Sequence, residues 1–150
     1  MKLIADARQN MVDSQLRPNR VTNPNILSVM SDLPREYFVP TAKKSSAYID
    51  EDIEVSSGRY LMEPLVVARL IQALEITIDS TVLNVGCGSG YDSALLSMLA
   101  GSVVALESDP SLVLRATEVL EKLTIDNVTV IEAPMTGGCS IQSPYDAILI

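Results

Sequence analysis

The short run Thr81–Val85 alternates branched and apolar residues as a strand does, then passes directly into Gly86-Cys87-Gly88-Ser89-Gly90-Tyr91 and an apolar helical stretch over 92–99. Glycines at that junction let the chain turn sharply and bring its main chain close to a ligand, while the following helix start favours an anionic group. The same rhythm continues downstream. A strand is predicted at 103–106 and a helix at 109–123, with Asp109 as N-cap, Pro110 in the first turn, and Leu112, Ala116, Val119, Leu120 and Leu123 on one face. Strands at 128–131 and 145–150 follow, separated by a loop containing Pro134, Gly137 and Gly138. Strands alternating with helices of this length specify a parallel α/β sheet.

Composition narrows the chemistry. Among 150 residues there is no histidine, which removes Ser-His-Asp triads, Cys-His pairs and His-based zinc sites from the chain. The two cysteines, Cys87 and Cys139, are far apart and lack C-x-x-C spacing, so neither a metal site nor a disulfide framework is expected, and a reducing cytoplasm is the default location. The net charge of −8 is uneven: residues 1–50 carry 7 basic and 5 acidic side chains, and residues 51–150 carry 4 and 14. Nucleic acid is therefore not the expected partner. No stretch is long and apolar enough to predict a membrane span, and the amino terminus has no export signal.

The first half of the chain reads differently. Ile4, Ala7, Met11, Val12 and Leu16 recur at helical spacing up to Pro18, and Asn23-Pro24 opens a second helix through Ile26, Leu27, Met30 and Leu33. The proline-bracketed stretch Pro34–Pro40 is expected to be extended, 43–46 to be a polar loop, and 47–59 to form a strand or hairpin closed at Ser56-Ser57-Gly58. Pro64 then starts a helix so apolar, with Arg69 and Gln72 its polar positions, that it is expected to be largely buried.

The glycine loop fits a nucleotide-type cofactor. Seventeen positions after Gly90 stands Glu107, at the end of the next strand, where a carboxylate accepts hydrogen bonds from ribose hydroxyls. Dinucleotide binders use G-x-G-x-x-G/A, but Tyr91 occupies the third small position, and Gly86-x-Gly88-x-Gly90 looks like the first motif of Rossmann-like methyltransferases that bind S-adenosylmethionine. The candidate cofactor residues are Gly86, Cys87, Gly88, Ser89, Gly90, Tyr91 and Glu107. Cys87 reads as a small packing residue, Asp109 as a helix cap, and Tyr91 equally as a core residue or a contact to the cofactor's methionine end.

Over almost its whole length the chain resembles the protein-L-isoaspartate O-methyltransferases. The resemblance is carried by Arg8, Met11-Val12, Gln15-Leu16-Arg17, Pro34-Arg35-Glu36, Phe38-Val39-Pro40, Ala47-Tyr48, Gly58-Arg59, Pro64 and the glycine loop. It implies methyl transfer from S-adenosylmethionine to the carboxylate of L-isoaspartyl residues in damaged proteins, on a Rossmann-like seven-stranded sheet preceded by an N-terminal helical section. Residues 1–60 would be the helical, substrate-side section. Residues 61–150 would be the N-terminal half of the cofactor domain, with the first four strands in the order 3-2-1-4.

On this reading the chain is an N-terminal fragment or a divergent member, and the run Ala147-Ile148-Leu149-Ile150 is a strand buried on both faces in the complete sheet. Two departures from the family pattern stand out. Met62, in Tyr60-Leu61-Met62-Glu63-Pro64, occupies the position of the family's substrate-side hydroxyl residue, and Ala133-Pro134-Met135 replaces a Gly-Asp-Gly whose Asp contacts adenine. Met62 is thus the first candidate at the reacting centre. Glu63 and Arg59 are the others, each read alternatively as an ordinary exposed charge. The departures keep two further functions open: methyl transfer to another substrate, and a cofactor-binding module without catalysis. No motif speaks to oligomeric state.

Overall fold

In the computed structural model, which describes residues 2–150, helix α1 spans Lys2–Met11 and runs on as a wider π turn, Val12–Leu16, and a 3-10 turn, Arg17–Asn19. Met11, Val12 and Leu16 form its buried seam. Arg20, at φ 68°, ends the spiral in a left-handed conformation. Helix α2, Pro24–Asp32, starts as the sequence predicts: the Asn23 side chain accepts from the N–H groups of Asn25 (2.9 Å) and Ile26 (3.4 Å). Its buried face is Ile26, Leu27, Val29 and Met30.

The stretch 34–40 departs from the expected extended form. Arg35–Tyr37 is a 3-10 turn, closed by hydrogen bonds from Tyr37 N–H to the Pro34 carbonyl and from Phe38 N–H to the Arg35 carbonyl, both 3.0 Å. Proline fixes its own φ and restricts the residue before it, so Leu33 is extended (ψ 122°), while Arg35, Glu36 and Tyr37, with no proline next in line, are free to turn. The turn buries Phe38 and Val39. Residues 43–46, expected to be a polar loop, lie within a second 3-10 segment, Thr41–Ser46. The expected hairpin is present but starts later, with β1 at Ile53–Ser56 and β2 at Arg59–Leu61; Tyr48 lies before it, buried in a turn.

Helix α3, Pro64–Ala73, is not buried all round. Pro64, Val67, Ala68 and Ile71 face inward at helical spacing, whereas Val66 and Leu70 are more than a third exposed. Gln72 ties this helix to the entry of α2: its Oε1 accepts from the N–H groups of Thr22 (2.8 Å) and Asn23 (3.0 Å), and its Nε2 donates to the Arg20 carbonyl (3.0 Å). These elements make one compact unit, ending at Ala73.

The second unit, Leu74–Ile150, is the α/β part. It contains β3 (Thr81–Val85), α4 (Tyr91–Ser97), β4 (Ser102–Glu107), α5 (Pro110–Lys122), β5 (Val128–Glu132) and β6 (Ala147–Leu149). The four strands are parallel in the order β5-β4-β3-β6, which is the predicted 3-2-1-4 arrangement. Val82, Leu83 and the stretch Val103–Leu106 are buried in the two central strands. Asp109 caps α5 by accepting from the N–H groups of Ser111 (2.8 Å) and Leu112 (3.4 Å). Strand β6 is shorter than expected and forms an edge of the sheet: Leu149 is buried, but Ile148 is 50% and Ile150 85% exposed, because no element of this unit covers that side of the strand.

Candidate functional site

The loop after β3 is stitched to the end of β4. The N–H groups of Gly86 (2.8 Å) and Cys87 (3.1 Å) both donate to the Leu106 carbonyl, and Gly90 N–H closes the turn on the Cys87 carbonyl at 2.9 Å. Gly86, Gly88 and Gly90 all take positive φ. Two of them matter for different reasons. At Gly90 (φ 94°) a Cβ would lie 3.1 Å from the Ala116 Cβ, so the loop is pressed against α5; at Gly88 (φ 57°) a Cβ would meet nothing within 4 Å, so open space faces the chain there.

Glu107 completes the frame. It is fully buried, its Oε2 accepts from Gly88 N–H at 2.8 Å, and its Oε1 accepts from the N–H groups of Ser108 (2.8 Å) and Asp109 (3.1 Å). A charged acceptor with three backbone donors fixes the tip of the glycine loop relative to the start of α5. Ser89 is buried, and among the described residues nothing bonds to its Oγ. Cys87 is buried among Ala105, Ala116, Val128 and Val130, in keeping with a packing role. Tyr91 is wholly buried, and Asn84 Nδ2 donates to Ser93 Oγ at 3.0 Å, tying α4 to β3. The structure therefore brings the glycine loop, Glu107 and the Asp109 cap together at the carboxyl ends of β3 and β4.

Ala133-Pro134-Met135 follows β5 in the same unit. Ala133 N–H donates to the Glu107 main-chain carbonyl at 3.0 Å, and its side chain packs on the cluster of Leu83, Val104 and Leu106. Nearby, Tyr145 Oη donates to the Cys139 carbonyl at 2.7 Å; desolvation and the adjacent Cys139 thiol push the phenol up to about 12.

In the first unit, Arg59, Met62 and Glu63 lie along one short path from β2 into α3, each half-buried. Tyr60, between them, is exposed and Leu61 is buried. The main chain here is held from elsewhere in the sequence. Arg35, fully buried, donates through Nε to the Ala47 carbonyl and through Nη2 to the Met62 carbonyl, both at 2.7 Å, and Glu63 N–H donates to Asp52 Oδ1 at 2.8 Å. Beside this lies a buried polar cluster. Arg8 donates through Nε to Tyr48 Oη (2.8 Å), through Nη1 to the Asp32 carbonyl (2.8 Å) and through Nη2 to Glu36 (3.4 Å), while Tyr48 Oη donates to Glu36 Oε2. Burial and the Glu36 carboxylate raise the Tyr48 phenol well above the ordinary tyrosine range.

Sequence patterns had marked Arg8, Arg35, Glu36 and Tyr48 only as parts of motifs; their shared role is to hold this unit together. Asp52 carried no signal of its own beyond an acidic residue near a hairpin. Among the described residues no group of His, Cys, Asp and Glu could hold a metal ion, and no helix is long and apolar enough to cross a membrane.

The sequence profile of the protein-L-isoaspartate(D-aspartate) O-methyltransferases matches residues 6–150. The chain belongs to this family. Among its curated relatives, the protein-L-isoaspartate O-methyltransferase of Syntrophus aciditrophicus is 38% identical over 143 residues, covering 95% of this chain and 66% of the relative. That of Koribacter versatilis is 36% identical over 143 residues, covering 95% and 64%. The chain thus spans about two thirds of the length of these protein-L-isoaspartate O-methyltransferases.

Solved structures carry the same fold. One protein-L-isoaspartate O-methyltransferase superposes with a TM-score of 0.82 at 24% identity, covering 94% of this chain and 47% of its own. A Plasmodium falciparum structure described as this methyltransferase in complex with S-adenosyl-L-homocysteine gives 0.75 at 21% identity, covering 94% and 71%.

Proposed function

We propose that the protein transfers a methyl group from S-adenosylmethionine to the free carboxylate of L-isoaspartyl residues in damaged proteins, acting in the cytoplasm as a repair enzyme. The observation that carries this reading is the family match across residues 6–150. The second unit suits the cofactor. Gly88 faces open space at the carboxyl end of the sheet, and Ser89 Oγ is a buried hydroxyl with no bond to any described residue. Glu107 Oε2 accepts from Gly88 N–H, which sets the tip of the loop beside the end of β4. On this reading Gly86, Cys87, Gly88, Ser89, Gly90 and Tyr91 form the cradle, and Glu107 receives the ribose hydroxyls. We assign the first unit, which holds Arg59, Met62 and Glu63 and ends at Ala73 rather than at the expected 60, to the substrate side, and the second unit, Leu74–Ile150, to the cofactor side.

S-adenosylmethionine, when bound, supplies an electrophilic methyl group on a sulfonium. The attacking carboxylate, with a pKa of about 4, is already ionised at pH 7, so its attack needs no general base. What the protein must do is align the carboxylate with the methyl and keep water out. Met62 stands where the family's hydroxyl residue stands, and a thioether cannot donate to a carboxylate. Arg59 offers the charge to pair with the substrate carboxylate, and Glu63 the polar side chain next to it.

Met62 also favours a second reading, in which the methyl goes to a different acceptor or the module binds cofactor without turnover. An assay with tritiated S-adenosylmethionine and an isoaspartyl peptide separates these. Methyl ester formation is expected; cofactor binding without transfer to this peptide would refute the repair reading. Calorimetric titration with both ligands is expected to show S-adenosylmethionine binding and no saturable response to NAD.

A further inference from the structure

The peptide unit joining Met62 to Glu63 is held at both of its polar ends. Its carbonyl accepts from Arg35 Nη2 at 2.7 Å, and its N–H donates to Asp52 Oδ1 at 2.8 Å. One holder comes from 27 positions upstream and the other from 11. A carbonyl and an amide at a strand-to-helix junction can be served by water, and the plane can then rotate about the flanking dihedrals. Here it cannot rotate without breaking two bonds, one of them to a buried cation.

The chemistry of the upstream holder matters. A guanidinium keeps its donors in one rigid plane, so bonds from Nε to the Ala47 carbonyl and from Nη2 to the Met62 carbonyl orient the Arg35 plane and the Met62 carbonyl together. A lysine has no such plane. Burying a cation is unfavourable unless its donors are well used, and Arg35 is fully buried. Asp52 is exposed, and the neighbouring Asp50 Oδ1 accepts from Leu65 N–H at 3.4 Å, so the chain is held on both sides of Pro64.

We infer that Arg35 and Asp52 are positioning residues that lock the Met62–Glu63 peptide in one orientation, so that the Met62 side chain lines the substrate position in a single arrangement and the Glu63 carboxylate is kept in a fixed place relative to it. The inference rests on Met62 being the substrate-side position, as proposed above. Neither Arg35 nor Asp52 touches the reacting atoms; both act through the main chain.

The test compares the full chain with Arg35→Lys, Asp52→Ala and, as a control, Tyr48→Phe. The control loses the buried bond to Glu36 in the same unit without touching the Met62–Glu63 peptide. Hydrogen exchange is read over residues 59–65 and over α2, and KM and kcat are measured with an isoaspartyl peptide alongside the cofactor Kd. Arg35→Lys and Asp52→Ala are expected to raise exchange over 59–65 about tenfold and KM about five- to tenfold. Exchange in α2, kcat and cofactor Kd should stay within about twofold. Tyr48→Phe should shift neither the 59–65 exchange nor KM.

Because Asp52 is exposed, its variant will fold even where Arg35→Lys does not. Unchanged exchange in Asp52→Ala overturns the inference. So does raised exchange with unchanged KM, which would show a merely structural tie, and so does an equal effect from Tyr48→Phe. A wild type that methylates no isoaspartyl peptide refutes the function instead; the peptide Kd then replaces KM, and a wild type that does not bind the peptide overturns both.

Discussion

Glu107 is surrounded by donors rather than by water, which makes it unusually sensitive to a change that leaves its size untouched. In Glu107→Gln one oxygen becomes an NH2 group, so at least one of the N–H groups of Gly88, Ser108 and Asp109 faces a donor. The expected cost is about 2 kcal/mol of stability, read as a lower urea midpoint. Neighbouring glycines should respond in contrasting ways. Gly90→Ala adds a clash with Ala116 to an unfavourable φ and should destabilise by about 2 kcal/mol or more. Gly88→Ala meets no atom, so its stability loss should be nearer 1 kcal/mol while S-adenosylmethionine affinity, measured by calorimetry, falls about tenfold, since the methyl enters the open space. Glu107 and the glycines could be picked out from sequence because their spacing follows from one strand-loop-helix-strand unit. The Arg35 bond to Met62 could not, because nothing in a linear pattern says that positions 27 apart will meet.

At the scale of elements, helix starts were the most legible features. Asn23 and Asp109 each precede a proline and each accepts two backbone N–H bonds, so the local chemistry alone defines both starts. Asp109→Ala should therefore cost about 1 kcal/mol in thermal or urea unfolding. The stretch 34–40 was misread because two prolines suggested an extended segment, although proline leaves the interior positions free to turn. The faces of α3 were misjudged for a related reason: composition reports how apolar a helix is, while spacing decides which side is covered.

The buried cluster of Arg8, Glu36 and Tyr48 gives the first unit a pH dependence. Since the folded phenol of Tyr48 titrates above the unfolded one, its protonated form is favoured by folding. That contribution is complete below the unfolded tyrosine value of about 10 and is lost as pH rises beyond it. Urea midpoints should fall above pH 10 in the wild type, and the fall should be shallower in Tyr48→Phe.

At the scale of the whole molecule, the parallel arrangement was predictable because strands and helices alternate, and the strand order followed from the family resemblance. The exposure of β6 follows from that same order, which leaves its apolar run at the edge of the four-stranded sheet. Residues 1–150 should associate through this edge, and Ile148→Lys should shift sedimentation toward monomer. The position of β6 also bears on the order of folding. Strand β3 finds β4 with paired residues 21 positions apart, Thr81 and Ser102, whereas it finds β6 across 65 positions, Val82 and Ala147. Closing the longer span costs about 1 kcal/mol more in chain entropy and gains only a three-residue strand, so β6 is expected to join last and to leave first. The glycine loop, which lies between β3 and β4, then belongs to the early-forming part of the sheet, and substitutions in β6 should speed unfolding with little effect on the rate at which that loop is built.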